Sequence, residues 1–251
     1  MKIIIAPAKK MRNDVDYLSP KQQPVFEKDA KKLLKQLKTC SISEIKRTLK
    51  TSDTIAKEAF LMYRMMDFKQ AGTPALLAYD GIQYTYMAPG IFPDEYFAYV
   101  EEHLRILSGF YGILSPFDAI YPYRLELDNR IPRHGFENLY QFWGKRIYQQ
   151  LTKEDHEILD LASRQYSHVI TRYLNKNDRY VRCYFMEEEQ GTYKEKGVYV
   201  KMARGAMVRY LAQIQAQHVE DAKNFQELGY SYHEELSKKD AYVFTRKKDK
   251  A

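Results

Sequence analysis

Cysteine is scarce in this sequence, and its scarcity argues against two kinds of site. Cys40 and Cys183 are the only copies in 251 residues, and no C-x-x-C spacing is present. Neither a disulfide framework nor a cysteine-based metal site is therefore predicted. Two cysteines in a cytosolic chain are most often reduced core residues, so redox activity of either thiol is a hypothesis without a motif.

The histidines give no local metal site either. None of the six falls three to five residues from another, the spacing at which a metal pair usually lies. Distant residues can still converge in a fold, which the sequence alone does not show. We predict no metal and no other cofactor.

Long apolar runs are also missing. The opening segment MKIIIAPAKK has three consecutive isoleucines before Pro7, fewer than a secretory signal needs. No window approaches the roughly 18 apolar residues of a membrane-spanning helix. We expect a cytoplasmic protein with no membrane partner.

The generic catalytic motifs are absent. The sequence has no G-x-G-x-x-G, no G-x-x-x-x-G-K-[ST], no G-x-S-x-G and no H-E-x-x-H. A nucleotide hydrolase and a hydrolase with a catalytic triad therefore have no support.

The sequence has an excess of basic residues. Forty Lys and Arg against 33 Asp and Glu give a formal charge of +7 and a pI near 9.1. This balance favours a polyanionic partner, although a basic surface can also serve solubility alone. The basic tail at residues 246–251 is typical of a solvated terminus.

The apolar pattern predicts an α/β fold. Residues 3–5 and 75–79 are continuous apolar runs that indicate buried strands, and alternating apolar residues from Ile82 to Tyr86 favour a further strand. Residues 180–186 and 193–202 predict a hairpin, with a helix from Ala203 to Gln217. We predict a single domain over residues 1–251, with a mixed sheet, flanking helices and a helical insertion.

The helical insertion lies at residues 41–66. Ser41 and Glu44 form the sequence of a capping box, and a second helix follows Thr51 and Ser52. The turn at Thr51 and Ser52 contains no glycine, so a close approach of its backbone to a phosphate is not favoured. Lys46, Arg47, Lys50 and Lys57 lie near this turn.

Polar residues follow several predicted strands. Lys9, Asp80 and Ser163 each lie just beyond an apolar run, and ligands of open α/β sheets bind outside the carboxyl ends of strands. Arg124 and Glu126 alternate in an extended segment, so both face one side. We take these five as candidates for one pocket. The alternative is that they form structural ion pairs, Lys9 with Asp80 or Glu126.

A second basic cluster lies near a glycine. Lys201, Arg204 and Arg209 are predicted to flank the start of a helix beside Gly205. Backbone N–H groups at a helix start favour phosphate. The alternative is a helix whose basic face is only solvated.

Several segments carry a resemblance to the YaaA family of bacterial peroxide-stress proteins. They occur in the family's order: residues 6–9 (APAK), 107–114 (LSGFYGIL), 122–126 (PYRLE), 139–143 (LYQFW) and 203–209 (ARGAMVR). The chain departs from the family pattern at Ala6, Ser115 and Asp160. The resemblance implies an unusual α/β fold with a positively charged cleft, a helix-hairpin-helix-like element, binding of duplex DNA and protection against oxidation during peroxide stress. The helices within residues 41–66 are the candidate for that element, and its candidate phosphate ligands are Lys46, Arg47, Lys50 and Lys57. An ordinary helical pair is the alternative.

Two functions follow as hypotheses. The first is a DNA-binding protein of the peroxide stress response, which contacts phosphates in a basic cleft with little sequence preference. The second is an enzyme that acts on a nucleobase or a nucleotide-like small molecule, with ionisable groups gathered in a pocket. An open groove favours the first, and a closed pocket that holds the five candidates favours the second.

Overall fold

The N-terminal isoleucines form the centre of the sheet. The computed structural model describes residues 1–15, 17–132 and 135–247. Ile3, Ile4 and Ile5 are fully buried in strand β1 (Lys2–Ile5), which pairs in parallel with β5 (Leu104–Ser108) and β8 (Glu157–Asp160). The predicted buried strand is confirmed, because a strand covered on both faces needs an apolar residue at every position.

The central sheet is mixed, as predicted. Besides β1, β5 and β8, the strands are β2 (Lys10–Met11), β3 (Thr73–Pro74), β4 (Tyr79–Asp80), β6 (Gly112–Leu114), β7 (Ala119–Ile120), β9 (Arg179–Glu189), β10 (Thr192–Lys194), β11 (Ser231–Tyr232) and β12 (Ala241–Lys247). Across the described part of the sheet, β12, β9, β8, β1 and β5 run parallel in that order. Antiparallel strands close both edges and extend β9, and two small ladders join β2 with β4 and β3 with β7.

Helices flank the sheet. The α-helices are α1 (Glu27–Leu37), α2 (Ile42–Leu49), α3 (Asp53–Met65), α4 (Ala75–Ala78), α5 (Ile82–Met87), α6 (Asp94–His103), α7 (Leu139–Trp143), α8 (Arg146–Thr152), α9 (Arg164–Thr171) and α10 (Gly197–Gln213), with 3-10 helices at Pro89–Ile91 and Val219–Asn224. The long helix α10 packs against the short helix α5 and against α6. Among the described residues, no helix combines the length and the apolarity needed to span a membrane.

Two predicted strands are helices. The apolar run at residues 75–79 forms the single helical turn α4 before the two-residue strand β4, and the alternating segment from Ile82 forms α5. A short apolar run does not distinguish a buried strand from a buried helical turn. Here Asp80 and Gly81 lie between two buried helical segments.

The hairpin after β9 is shorter than predicted. β9 and β10 turn at Gln190 and Gly191, both of which have positive φ. The second strand ends at Lys194, however, and α10 begins at Gly197. Residues 197–202 were therefore wrongly predicted as strand, which moves the helix start several residues toward the N-terminus.

The two helices predicted within residues 41–66 are confirmed, although their identity as a helix-hairpin-helix stays a prediction. Ser41 and Glu44 form a capping box at α2, and the Ser52 side chain accepts from the Ile55 N–H at α3. Lys50 makes the turn with a left-handed φ of 48°. At the other end of the chain, residues 246 and 247 belong to β12 instead of a solvated tail, and residues 248–251 of that tail lie outside the described part.

Candidate functional site

A cavity of about 410 Å³ lies outside the carboxyl ends of β1 and β8. The five candidates predicted from separate segments all line it: Lys9, Asp80, Arg124, Glu126 and Ser163. Lys201 and Arg204 of α10 line it as well. The cavity therefore joins the predicted pocket with part of the predicted phosphate cluster.

Two ion pairs lie at the cavity. Lys9 Nζ is 3.2 Å from Glu126 Oε2, and Lys10 Nζ is 2.9 Å from Asp80 Oδ2. The Lys9 side chain is 63% exposed and that of Lys10 is 81% exposed, so neither pair contributes much to stability. The pairing of Lys9 with Glu126 is the structural alternative that the sequence left open, and it leaves the lysine accessible to a ligand.

Arg124 and Glu126 share one side of an extended segment. Both are partly buried, whereas Tyr123, which precedes Arg124, and Leu125, which lies between Arg124 and Glu126, are buried in the core. The Arg124 carbonyl accepts a hydrogen bond from the Tyr63 hydroxyl, which fixes the backbone at this point. Among the described residues no carboxylate pairs with the Arg124 guanidinium, so its charge is available to an anion.

Arg204 is the most deeply buried cation of the cavity. It is 8% exposed, and its Nε has no hydrogen-bond partner among the described residues. Gln83 from α5 is 7% exposed, and its Nε2 also lacks a partner. Burial lowers the pKa of Arg204, partly offset by Asp160. Unpartnered buried donors are uncommon in folded proteins.

The predicted position of the second basic cluster was wrong. Gly205 lies in the middle of α10, not at its start, and a Cβ on it would lie 2.0 Å from the carbonyl oxygen of Gln83. The glycine therefore permits close contact between α10 and α5. Arg209 lies further along α10, where Glu227 holds its guanidinium at 2.6 Å, and it does not line the cavity.

A chain of buried hydroxyls lies behind the cavity wall. The Ser108 Oγ accepts from the N–H groups of Phe110 and Tyr111, so its proton goes to the Tyr123 oxygen at 2.7 Å. The Tyr123 and Tyr79 hydroxyls share a hydrogen bond at 2.8 Å, in which either oxygen can be the donor. Burial raises the pKa of Tyr123 to about 12, so the phenol is neutral at physiological pH.

Asp160 holds the turn that presents Ser163. Its buried carboxylate accepts from the Ala162 N–H at 2.7 Å, from Ser167 Oγ at 2.6 Å and from Arg182 at 3.0 Å. Burial raises the pKa of Asp160, although Arg182 opposes that rise. The Ser163 side chain makes no capping hydrogen bond at the start of α9, so its hydroxyl remains available.

The phosphate candidates of the helical pair lie in two different environments. Lys46 pairs with Asp53 at 2.9 Å, and Lys50 pairs with Asp128 at 3.5 Å. Arg47 on α2 and Lys57 on α3 are exposed and form no ion pair among the described residues. Of these four candidates, Arg47 and Lys57 are the two that present an uncompensated charge to solvent.

Both cysteines are buried thiols. Cys183 lies in β9, and burial raises the pKa of its thiol. A reactive thiol needs the opposite environment, one that is exposed and favours the thiolate.

The comparison with known families identifies the chain. Residues 1–236 match the family described as peroxide stress protein YaaA. This chain belongs to the YaaA family. Its relatives include UPF0246 proteins from Desulfitobacterium hafniense, Limosilactobacillus reuteri and Pediococcus pentosaceus, which are 50%, 43% and 42% identical to it. The matched regions cover 97–98% of this chain and 98% of each relative.

The segments that first suggested the YaaA family meet beside the cavity. Gly109, from the segment LSGFYGIL, lies so close to the Arg124 loop that a Cβ would be 2.5 Å from the Leu125 carbonyl oxygen. Trp143, from LYQFW, is fully buried and donates its indole N–H to the Gly109 carbonyl at 2.9 Å. These YaaA segments therefore support the loop that carries Arg124 and Glu126.

Proposed function

We propose that this YaaA-family protein is an enzyme that acts on a nucleobase or a nucleotide bound in the cavity. The observation that carries the proposal is that five ionisable or polar residues from separate segments line one cavity, together with Lys201 and Arg204. A volume of about 410 Å³ lies within the range of small-molecule sites. We also propose a role in the peroxide stress response, on the basis of the family description.

The lining of the cavity suits a planar, anionic molecule. Tyr84, Tyr123 and Tyr166 supply aromatic surface, which favours stacking of a base. Arg124 and Arg204 supply positive charge. Lys9 and Glu126, 3.2 Å apart, provide a proton donor and a proton acceptor at the accessible side. This combination is what acid–base chemistry on a nucleobase requires.

The test is binding and turnover of a panel of nucleobases, nucleosides and nucleotides. We expect at least one class to raise the melting temperature in proportion to its occupancy, and mass spectrometry to detect its conversion. Lys9→Met and Glu126→Gln should reduce conversion at least a hundredfold, since general acid–base catalysis contributes roughly 10²–10⁴-fold.

The matched control is Lys21→Met. Lys21 is also an exposed, ion-paired lysine, held by Glu101, but it lies outside the cavity. Conversion should be unchanged in this variant. If no member of the panel binds, or if Lys9→Met and Glu126→Gln retain full activity, the enzymatic proposal is wrong.

A second function is favoured by the helical pair. We propose that duplex DNA binds across α2 and α3 with little sequence preference, through Arg47 and Lys57. The Thr48 hydroxyl donates to the Arg130 carbonyl at 3.1 Å, and the Tyr63 hydroxyl donates to that of Arg124. The helical pair is therefore anchored to the loop that lines the cavity, and bound DNA would lie near it.

Salt dependence tests the DNA proposal. Each phosphate contact adds about 0.9 to the slope of log affinity against log salt. Arg47→Gln with Lys57→Gln should lower that slope by about 2. Lys46→Gln, which removes a lysine already paired with Asp53, should change it less. Affinity that is the same at 50 and 200 mM salt, or no binding at the lower value, would refute this proposal.

A further inference from the structure

The cavity contains two donors that the protein itself does not satisfy. Arg204 is 8% exposed and Gln83 is 7% exposed, and the Nε of the first and the Nε2 of the second have no partner among the described residues. Leaving a buried donor unpaired is unfavourable, and more so when the group is charged. A ligand that supplies hydrogen-bond acceptors to these two donors would therefore be stabilised in the cavity.

The two donors come from helices that are in close contact. Gly205, the neighbour of Arg204, lies against the Gln83 backbone so closely that a Cβ would come within 2.0 Å of its carbonyl oxygen. Arg204 on α10 and Gln83 on α5 both line the cavity. This contact fixes the relative position of the two helices that carry the donors.

The nearby carboxylates do not neutralise Arg204. Asp160 and Glu195 are close enough to act on its charge, but no described carboxylate lies within ion-pair distance of it. The Asp160 carboxylate is already engaged by Arg182, Ser167 and the Ala162 N–H. An external anion is the remaining way to compensate the buried guanidinium.

We propose that Arg204 and Gln83 form an oxyanion subsite that binds the phosphate of a nucleotide in this cavity. The inference deepens the proposed enzymatic function and rests on it. A guanidinium offers several N–H groups in a plane and suits phosphate oxygens, while the Gln83 amide adds one neutral donor. Lys201, exposed at the rim, attracts the same anion without fixing its position.

The experiment compares each nucleoside with its 5′-monophosphate by calorimetry, and adds inorganic phosphate as a separate probe. We expect the monophosphate to bind at least tenfold more tightly than the nucleoside. In Arg204→Met this preference should fall at least tenfold, and in Gln83→Leu it should fall about threefold. Arg209→Met, on the same helix but paired with Glu227 outside the cavity, should keep it.

Folding is checked separately. Neither Arg204→Met nor Gln83→Leu breaks a hydrogen bond of the buried donor atom, so we expect melting temperatures no lower than that of the parent. If Arg204→Met does not fold, Gln83→Leu still tests the subsite.

The outcomes separate the subsite from the enzyme. Equal affinity for nucleoside and monophosphate, or a preference that survives in Arg204→Met and Gln83→Leu, overturns the subsite and leaves the proposed function standing. Binding of inorganic phosphate that depends on Arg204, with no contribution from any base, supports the subsite and overturns the proposed function.

Discussion

Replacement of Asp118 by asparagine is expected to change how stability depends on pH. Asp118 is 2% exposed and accepts hydrogen bonds from Gln22 Nε2 at 2.8 Å and from the Ser115 N–H at 2.9 Å. Burial raises the pKa of Asp118 from 3.8 to about 6, and the two hydrogen bonds oppose that rise only in part. Between these two pKa values, Asp118 is mostly protonated in the native state and mostly ionised in the unfolded chain.

The sign and size of the pH dependence of stability follow from the difference between the native and the unfolded pKa of Asp118. A carboxyl with a raised pKa stabilises the native state fully below the unfolded value of 3.8, and the stabilisation is lost as pH rises through about 6. The difference between the two pKa values corresponds to about 3 kcal/mol. Asparagine does not titrate, so the free energy of unfolding of the parent should fall by most of this amount, relative to Asp118→Asn, between about pH 4 and pH 7.5.

Urea unfolding of both proteins at several pH values measures the effect, because subtraction removes the titration of every other group. A constant difference between parent and variant across the range would refute the reasoning. Glu187→Gln is the control of opposite sign. Burial alone would raise the pKa of Glu187, but Lys196 and Arg246 lower it, so the advantage of the parent over this variant should shrink as pH falls.

Three further predictions concern single contacts. Gly205→Ala should destabilise the protein by about 3 kcal/mol, the upper end of the usual cost of overpacking, because its Cβ would lie 2.0 Å from the Gln83 carbonyl oxygen; a melting temperature close to that of the parent would contradict the close packing. Cys40 and Cys183 are buried, so neither should react with an alkylating reagent in the native protein, whereas both should react in denaturant; labelling of Cys183 under native conditions would show access that the fold denies. Ser41→Ala removes the capping box of α2 and should cost about 1 kcal/mol in chemical unfolding, and no measurable loss would show that the cap is dispensable.

The convergence of the site was predictable because it depends on topology. Lys9 and Ser163 follow parallel strands, and the carboxyl ends of parallel strands meet at one edge of the sheet. Arg124 and Glu126 were predicted to share a side because an extended segment alternates its side chains. These arguments need only the direction of the strands and the spacing of the residues along the chain.

The place of Gln83 in the cavity wall and the position of Arg204 within its helix were not predictable in the same way. Gln83 carries no motif, and the alternating residues around it suggested a strand instead of the helix α5. Gly205 was read as the boundary of a helix, whereas it serves the contact between two helices. Packing between distant segments decides both cases, and local periodicity contains no information about it.

The central position of β1 has a consequence for synthesis of the chain. Ile3 pairs on one side with Leu104 and on the other with Leu159, so this strand is completed only by residues that are made much later. Contacts this distant in sequence form slowly. Until both neighbouring strands have been made, the three isoleucines of β1 remain exposed, and exposed apolar strands of this kind favour aggregation.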